Sequence, residues 1–527
     1  MHPETGVLSA LTMGINIAQV VRHWALCDPD RVALVLADQA YRELSYGELD
    51  LRARRAAAQL YALGTSPGDR IALCVPNGLG FLDAWFGGLY AGCTILPIPP
   101  MSAPPELAER LQHARCGALI ATADALAPGG VAADALARSS ALRTLGVDLS
   151  SLVDADAAID APRELSPDSI AMLLYTSGTT GVSKGAMISH ASLTVHTAAL
   201  VHHVLSLSAD DRVLATLPLT HSYGIRMTLL APFYAGARSV LNERFRADAV
   251  RRTLVDAQIS WFPGVPTMFH ALAHDASELA TPSSLRWCLS AGAPLPREVR
   301  LRAEKKLGVP VRQGFGLTEA TFSTIARPDD DGAEDTVGRP VFGVELRIVD
   351  EQHRVLPPDT PGQVCIRGAN VMAGYLDDPA ASAAAVRDGW LYSGDVGVLD
   401  RAGRLTIVDR IKDMIIRGGF NVYPAEVEAV LVEHPAIRDA VVVGVPDERY
   451  GEEVLAAVVL HPDAALEPAE LLGFCRGRLS RVKLPRLLTR LLELPVGASG
   501  KVLRREVRRA ALAGELALDR LEPQGGS

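Results

Sequence analysis

The run TSGTTGVSKG, residues 176–185, places glycines, hydroxyls and one lysine within ten positions. Glycine lets a backbone approach an anion closely, Ser and Thr hydroxyls donate hydrogen bonds, and lysine adds positive charge. The chemistry such a run offers is a grip on polyphosphate. A Walker A loop carries glycine directly before its lysine and Ser or Thr directly after it. Here Ser183 precedes Lys184 and Gly185 follows, so that pattern is excluded while its physics is kept. Taken alone, a Gly/Ser/Thr run also reads as a flexible turn. The apolar LLY at 173–175 just before it reads as the end of a strand, which is where parallel sheets bind ligands.

Four further blocks carry reactive side chains. GFGLTE (314–319) groups an aromatic ring, a hydroxyl and a carboxylate; YSGDVG (392–397) sets one carboxylate on a tight turn. DRIKDMIIRGGFNVYPAEVE (409–428) is a charged joint, a Gly-Gly turn and a helix start, and GASGKVLRRE (497–506) has a lysine directly behind a glycine. In this order, over roughly 20–510, the five blocks make the chain resemble the adenylate-forming superfamily: acyl-CoA synthetases, peptide-synthetase adenylation domains and beetle luciferases. Such enzymes activate a carboxylic acid with ATP and Mg²⁺ as an acyl adenylate, release pyrophosphate, and pass the acyl group to a thiol.

The resemblance implies roles motif by motif. Thr176, Ser177, Gly178, Thr179, Thr180 and Lys184 would wrap the β- and γ-phosphates. Thr318 would bond the α-phosphate and Glu319 would hold Mg²⁺, a hard cation that takes oxygen ligands. Phe315 and Gly316 would lie against adenine, with Gly292 and Ala293 on its other side. Asp395 would accept from the ribose hydroxyls with help from Arg410. Lys501 would bridge the substrate carboxylate and the α-phosphate, where charge develops in the transition state. Lys412 would be the hinge of a mobile C-terminal lid, and Gly418 and Gly419 would line the thiol tunnel, a helix-entry turn being the plainer role for both glycines.

The acid pocket would open beside LPLTHSYG, lined by His221, Ser222, Tyr223 and Met227, with Gly314 and Thr321 opposite; His221 would also stand among the catalytic residues. Members that activate α-amino acids carry an aspartate one residue after the His221 position, and those that activate dihydroxybenzoate carry an asparagine. Ser222 stands there in this chain, which argues against both. Arg226 raises a dicarboxylic acid, but its register after Tyr223 turns it from the side taken by Met227, and a structural ion pair is the simpler expectation. FPGVPTMFHAL and SAGAPLP most resemble medium- and long-chain fatty acyl-CoA ligases. The short 375–392 stretch lacks the extra segment of fatty acyl-AMP ligases, which favours a full cycle ending on CoA. The alternatives are a stand-alone adenylating enzyme that loads an aryl, dicarboxylic or fatty acid onto a carrier-protein phosphopantetheine, and a non-catalytic nucleotide-binding relative. The latter would be expected to lack Lys501, Glu319 or Asp395, and all are present. His270 and His274, four apart on an expected helix, have no third ligand in view and read as a satisfied helix face; the DDD at 329–331 reads as a solvated loop.

Elements must hold these groups in place. Over 70–317, β-branched runs alternate with amphipathic ones: strands at 70–75, 170–175, 212–217 and 259–262, helices at 80–91, 191–204, 247–257 and 296–307. That alternation gives βαβ units with largely parallel sheets. VELRIVD, GQVCIRG and GRLTIVD read as a small antiparallel β-barrel unit. Beyond 410 comes a small α+β module with a helix at PAEVEAVLVEH and strands at DAVVVGVPD and VLAAVVLHP. The fold class is therefore α/β: a large N-terminal domain of several subdomains, 1–410, and a small mobile α+β C-terminal lid, 411–527, hinged at 410–412. The Ala/Asp-rich 122–168 reads as a surface excursion.

Composition agrees. A chain of 527 residues exceeds one ordinary core, and 48% hydrophobic against 21% charged residues excludes a disordered chain. A net charge of −9 disfavours nucleic acid as a partner. The seven cysteines form no C-x-x-C pair, so buried thiols are expected rather than a disulfide framework or zinc site. No leader pattern opens the chain and the longest apolar stretch, 81–98, is broken by Asp83, glycines and Pro97, so a cytoplasmic monomer or homodimer without an integral membrane segment is expected.

Overall fold

The structure, a computed structural model, describes residues 15–139, 144–153, 156–176, 183–274, 282–330, 332–496 and 502–521. Ser177, Gly178, Thr179, Thr180 and Lys501 lie outside the described residues. The chain divides into two units, Met1–Leu346 with Ile366–Leu391, and Arg347–Cys365 with Tyr392–Ser527. The division falls within a five-stranded sheet built from Val344–Val349, Gly362–Gly368, Val386–Arg387, Trp390–Leu399 and Leu405–Arg410. The proposed hinge at 410–412 lies inside the second unit.

The first unit holds two large sheets. In the nine-stranded one, Val311–Leu317, Trp287–Ala291, Trp261–Gly264, Arg212–Ala215, Arg238–Leu241 and Val32–Leu36 run parallel side by side. Antiparallel strands close both edges: Ala320–Ile325 and Arg339–Pro340 at one, Arg42–Ser45 at the other. The parallel strands are apolar almost throughout, as a sheet covered on both faces requires. Helices Ala247–Asp256, Pro266–His274 and Arg297–Leu307 pack Leu254, Phe269 and Leu307 onto Phe262 and Val311 of this sheet.

In the seven-stranded sheet, Ile170–Thr176, Thr94–Pro97, Arg70–Cys74, Ala118–Ala121 and Leu145–Asp148 run parallel, with Lys184–Ser189 and Gly374–Tyr375 antiparallel at one edge. The stretch expected as a surface excursion therefore supplies an edge strand, Leu145–Asp148, and a helix, Val131–Arg138, whose Ala132 and Ala135 pack into the core. Alanine carries too little apolar bulk for the period of a helix to stand out in sequence.

Two helices of the first unit contain π-helical segments. His190–Leu200, capped by Ser189 accepting from the Ser192 N–H, runs on as the π segment Val201–Leu205. Ser222–Gly224 runs through the π segment Ile225–Leu230 into Ala231–Ala235. The second has a local cause. Pro232 has no N–H for the carbonyl of Thr228 four residues back, and Ser239 Oγ donates to that carbonyl instead.

The second unit is built on a six-stranded sheet in which Gly451–Leu460 is central and forms a long hairpin with Ile437–Asp447. Pro424–Leu431 and Pro468–Arg476 bury Val427, Leu431, Leu471 and Leu472 against one face of it. Val507, from Arg504–Leu512, packs against Val441, Val443 and Val445 on the other. All seven cysteines are free; Cys27 is exposed and the other six are buried. Burial pushes the thiols of Cys74 and Cys475 up to about 11 and those of Cys93 and Cys116 up to about 12. No helix among the described residues is long and apolar enough to cross a membrane.

Candidate active site

The carboxyl ends of neighbouring parallel strands gather most of the first unit's expected residues. Trp287–Ala291 ends at Gly292, whose φ of +92° turns the chain sharply, and Ala293 follows, exposed. Val311–Leu317 ends at the turn Thr318-Glu319, and the chain returns as Ala320–Ile325. Arg212–Ala215 leads into LPLTHSYG. Gly224 is required there: a Cβ on it would sit 2.2 Å from the Pro218 carbonyl oxygen.

Gly316 is held to glycine for a similar reason, since its Cβ would stand 2.2 Å from the Phe322 nitrogen. Phe322 itself has φ +45°, the left-handed region that a bulky side chain rarely enters. Its carbonyl accepts from His196 Nε2 at 3.1 Å, and its ring meets Tyr223 edge-on at 4.9 Å. Strained backbone of this kind persists where the surroundings over-determine it. Phe315 pairs with Thr324 across the hairpin. Gly314 does not open onto free space: its Cβ direction meets Leu289, Ile325 and the Thr324 carbonyl at 3.3 Å.

The helix start at 221–224 is tied to the strands beside it. Ser222 Oγ and Thr321 Oγ1 are 2.8 Å apart, and the Tyr223 hydroxyl reaches the carbonyls of Gly264 and Leu289 at 2.9 and 3.0 Å. His221 Nδ1 accepts from the Tyr223 N–H. Ser222, Tyr223 and Met227 are buried and His221 partly so. Asn370 locks the facing strand by donating to the Thr321 carbonyl and Ser323 Oγ.

Segment 371–376 stitches the two large sheets together. Met372 N–H donates to the Glu319 carbonyl, Ala373 N–H to Met187, and Leu376 N–H to Gly185. Tyr375 stands between them. Its hydroxyl donates to Glu319 Oε1 at 2.8 Å, and the Lys184 ammonium lies 5.2 Å over its ring. Burial, with the Glu319 carboxylate beside it, pushes the Tyr375 hydroxyl well up, so it stays a donor. Lys184 pairs with Thr176 across the strands that flank the glycine run. The lysine of the first motif and the carboxylate of the second, 135 residues apart in the chain, are thus joined through one tyrosine. Sequence reasoning missed Tyr375, because nothing in its spacing relates it to Glu319.

Within the second unit, Asp395 and Arg410 are directly paired on adjacent strands, and Arg410 Nε donates to Asp395 Oδ1 at 3.0 Å. The Asp395 side chain is buried while half of Arg410 faces solvent. Asp409 accepts from the N–H groups of Arg410 and of Ala425 in the first turn of Pro424–Leu431. Lys412 is exposed in the turn that follows. Gly418 and Gly419 form the two-residue loop of the hairpin Ile415–Arg417 and Phe420–Val422, with φ +57° and +81°. A two-residue hairpin loop with both central residues at positive φ is a type I′ turn, which selects Gly-Gly. They make a hairpin rather than the entry turn of a helix.

Among the described residues Arg226 makes no ion pair, against expectation; it is fully buried and bonds His196. His270 and His274 do share a helix face, their rings 4.2 Å apart, with His274 Nδ1 bonded to the His270 carbonyl and Nε2 to Arg302.

The first unit thus carries parallel strands of an α/β fold with a Thr-Glu turn at one strand end, and the second a paired Asp–Arg. The AMP-binding enzyme family model matches residues 21–376, and its C-terminal domain model matches 426–501. The chain is 37% identical over 471 residues to a feruloyl-CoA synthase of an Amycolatopsis species, covering 88% of this chain and 94% of that one. It is 33% identical over 509 residues to a sulfoacetate–CoA ligase of Cupriavidus necator, covering 94% and 96%. Among solved structures, ATP-bound MatB of Rhodopseudomonas palustris superposes with a TM-score of 0.87 at 30% identity, covering 94% of this chain and 99% of that one. The chain belongs to the AMP-binding enzyme family, in the adenylate-forming superfamily. Within it, the chain is an acyl-CoA synthetase of the ATP-dependent, AMP-forming kind.

Proposed function

We propose that the enzyme joins ATP and a carboxylic acid into an acyl adenylate with loss of pyrophosphate, and then transfers the acyl group to the thiol of CoA. The observation that carries this reading is the Lys184–Tyr375–Glu319 chain, which sets a phosphate-seeking cation and a carboxylate on one tyrosine. In the proposal, 176–180 and Lys184 hold the β- and γ-phosphates, Thr318 the α-phosphate, and Phe315, Gly316, Gly292 and Ala293 the adenine. Asp395, aimed by Arg410, takes the ribose hydroxyls. Lys501 supplies positive charge to the α-phosphate as the carboxylate attacks. Lys412 is the hinge of the lid beginning at 411, and Gly418 and Gly419 border the thiol path, where a type I′ turn keeps the backbone bare of side chains.

Among the described residues no cluster of three His, Cys, Asp or Glu side chains forms a ready metal cage. Mg²⁺ does not ask for one. It keeps several waters and binds through one or two carboxylates plus substrate phosphates, and Glu319, with Oε1 on Tyr375 and Oε2 remaining, fits that demand. When bound, Mg²⁺ would neutralise phosphate charge during adenylation.

For the acid, the first reading is a medium- or long-chain fatty acid, supported by the resemblance of FPGVPTMFHAL and SAGAPLP to fatty acyl-CoA ligases. The relatives' own acids vary, from feruloyl to sulfoacetate. A second reading, an acid with a further anionic group, is favoured by Arg226. CoA as acceptor is supported by relatives named for CoA; a carrier-protein thiol offers the same pantetheine arm. The test is ATP–pyrophosphate exchange with purified protein, Mg²⁺ and a panel of fatty, aryl and dicarboxylic acids, followed by thioester formation with CoA or acyl carrier protein. Acid-dependent exchange is expected; its absence with every acid overturns the proposal.

A further inference from the structure

The hairpin that carries the Thr-Glu turn is bulged directly below that turn. Leu317 pairs with Ala320 and Phe315 with Thr324, so Gly316 alone faces Thr321, Phe322 and Ser323. A bulge takes its residues out of the ladder and bends the strand. Carbonyls freed in this way need other donors when they are buried, and all three bulge residues are buried. The Ser323 carbonyl accepts from the Val341 N–H of the neighbouring chain segment. The other two are met by side chains from elsewhere in the first unit. Asn370 Nδ2 donates to the Thr321 carbonyl at 3.3 Å and to Ser323 Oγ at 3.0 Å. His196, from the helix His190–Leu200, donates through Nε2 to the Phe322 carbonyl at 3.1 Å.

Both donors are themselves fixed. A carbonyl only accepts, so His196 Nε2 carries the proton and Nδ1 the lone pair. Arg226 Nη1 donates to that Nδ1 at 3.1 Å, which holds the ring in this tautomer. Burial and the adjacent guanidinium push the imidazole's pKa well down, so the ring stays neutral. Asn370 is wholly buried and stands one residue before Val371, which bridges to Ala320, and two before Met372, whose N–H donates to the Glu319 carbonyl.

The bulge in turn sets the turn above it. The two strands pinch so closely that a Cβ on Gly316 would stand 2.2 Å from the Phe322 nitrogen, so Phe322 cannot shift without moving the strand that ends at Thr318. Ser323 Oγ, held by Asn370, donates to the Ala320 carbonyl at 3.2 Å, one residue beyond Glu319. Phe322 sits at φ +45°, a backbone shape that a bulky residue keeps only where its surroundings impose it. We propose that His196 and Asn370 are positioning residues of the adenylation step: they hold the 321–323 bulge so that the turn presents Thr318 and Glu319 at the reach the α-phosphate and Mg²⁺ require. This rests on the proposed ligase reading and adds to it the side chains that aim its metal carboxylate.

Two amides of different length separate the clamp from packing. His196→Asn places its amide near Nδ1, in reach of Arg226 but short of the Phe322 carbonyl. His196→Gln reaches the place of Nε2 and can donate there. Asn370→Ala removes the second donor. Mn²⁺ binding to the protein–ATP complex by electron paramagnetic resonance and kcat of ATP–pyrophosphate exchange are measured beside thioester formation from supplied acyl-AMP. In His196→Asn and Asn370→Ala, Mn²⁺ binding is expected to weaken and exchange kcat to fall, each by about tenfold or more, while thioester formation falls far less. His196→Gln recovers most of both losses. A role in packing alone would lower the melting temperature and leave Mn²⁺ affinity unmoved. The two sites act on separate carbonyls, so either variant that folds decides alone. Unmoved Mn²⁺ affinity and exchange in the folded variants, or equal losses in His196→Asn and His196→Gln, overturn this inference and leave the ligase reading standing. Wild-type protein that exchanges with no acid overturns both.

Discussion

At the scale of single residues, the informative groups are those whose partners come from far along the chain. Tyr375 is the link on which the proposed phosphate and metal contacts converge. Tyr375→Phe removes one hydrogen bond to a carboxylate and leaves the ring under Lys184, so Glu319 loses its tether but keeps its charge. A hydrogen bond to a charged group is worth about 1.5–3 kcal/mol. The expected outcome is a higher Mg²⁺ requirement for exchange, roughly tenfold, and weaker Mn²⁺ binding to the ATP complex by electron paramagnetic resonance. Unchanged metal binding would make Tyr375 a packing residue only. Thr318, Glu319, Asp395 and Lys184 stand out in sequence as candidates, because hydroxyls, carboxylates and a lysine beside glycines announce chemistry. Tyr375, His196 and Asn370 do not. Each acts through a tertiary contact to a residue at least 47 positions away, and local spacing carries no trace of that.

At the scale of elements, the alternation of apolar runs placed the four strands and four helices it named in the first unit within a few residues, and left others such as Thr94–Pro97, Ala118–Ala121 and Tyr46–Ala62 unnamed. Predicted 70–75, 170–175 and 247–257 became Arg70–Cys74, Ile170–Thr176 and Ala247–Asp256. The π segments were invisible, since the side-chain pattern of a helix hardly registers one extra residue in a turn. The Gly-Gly hairpin was misread because a basic run followed by PAEVE resembles a helix entrance, while Ile415–Arg417 and Phe420–Val422 are too short to show alternation. One element also sets a pH response. His190 opens the helix His190–Leu200 and accepts from the Ile17 N–H, and burial lowers its pKa from 6.5 to about 4. Between those values the unfolded chain binds a proton that the folded chain refuses. Stability from this group is therefore intact above pH 6.5 and declines as pH falls toward 4, by about 3 kcal/mol at most. Thermal unfolding across that range should show the decline, and His190→Asn, which keeps an acceptor but cannot titrate, should flatten part of it. A wild-type profile already flat from pH 6.5 to 4 would refute the assignment.

At the scale of the whole molecule, the proposed cycle asks two different things of the same C-terminal region. In that proposal Lys501 serves the first half-reaction and the Gly418-Gly419 turn the second. Lys501→Ala is expected to slow adenylation by about a hundredfold or more, roughly 3 kcal/mol of lost charge stabilisation, while still turning supplied acyl-AMP into thioester. Gly419→Leu should do the reverse. The φ of +81° adds about 1–2 kcal/mol of local strain, so its melting temperature must be read beside its rates. Separate assays of pyrophosphate exchange and of thioester formation decide the matter; equal damage to both halves by both variants would dismiss the division of labour.

The thiol inventory bears on how the enzyme can be handled. With Cys27 the sole exposed cysteine, a maleimide dye or a gold surface should find one point of attachment at the edge of the helix Gln19–Cys27. Colorimetric titration of free CoA sulfhydryls should then carry a background of a single equivalent per native chain, rising toward seven as the protein is denatured.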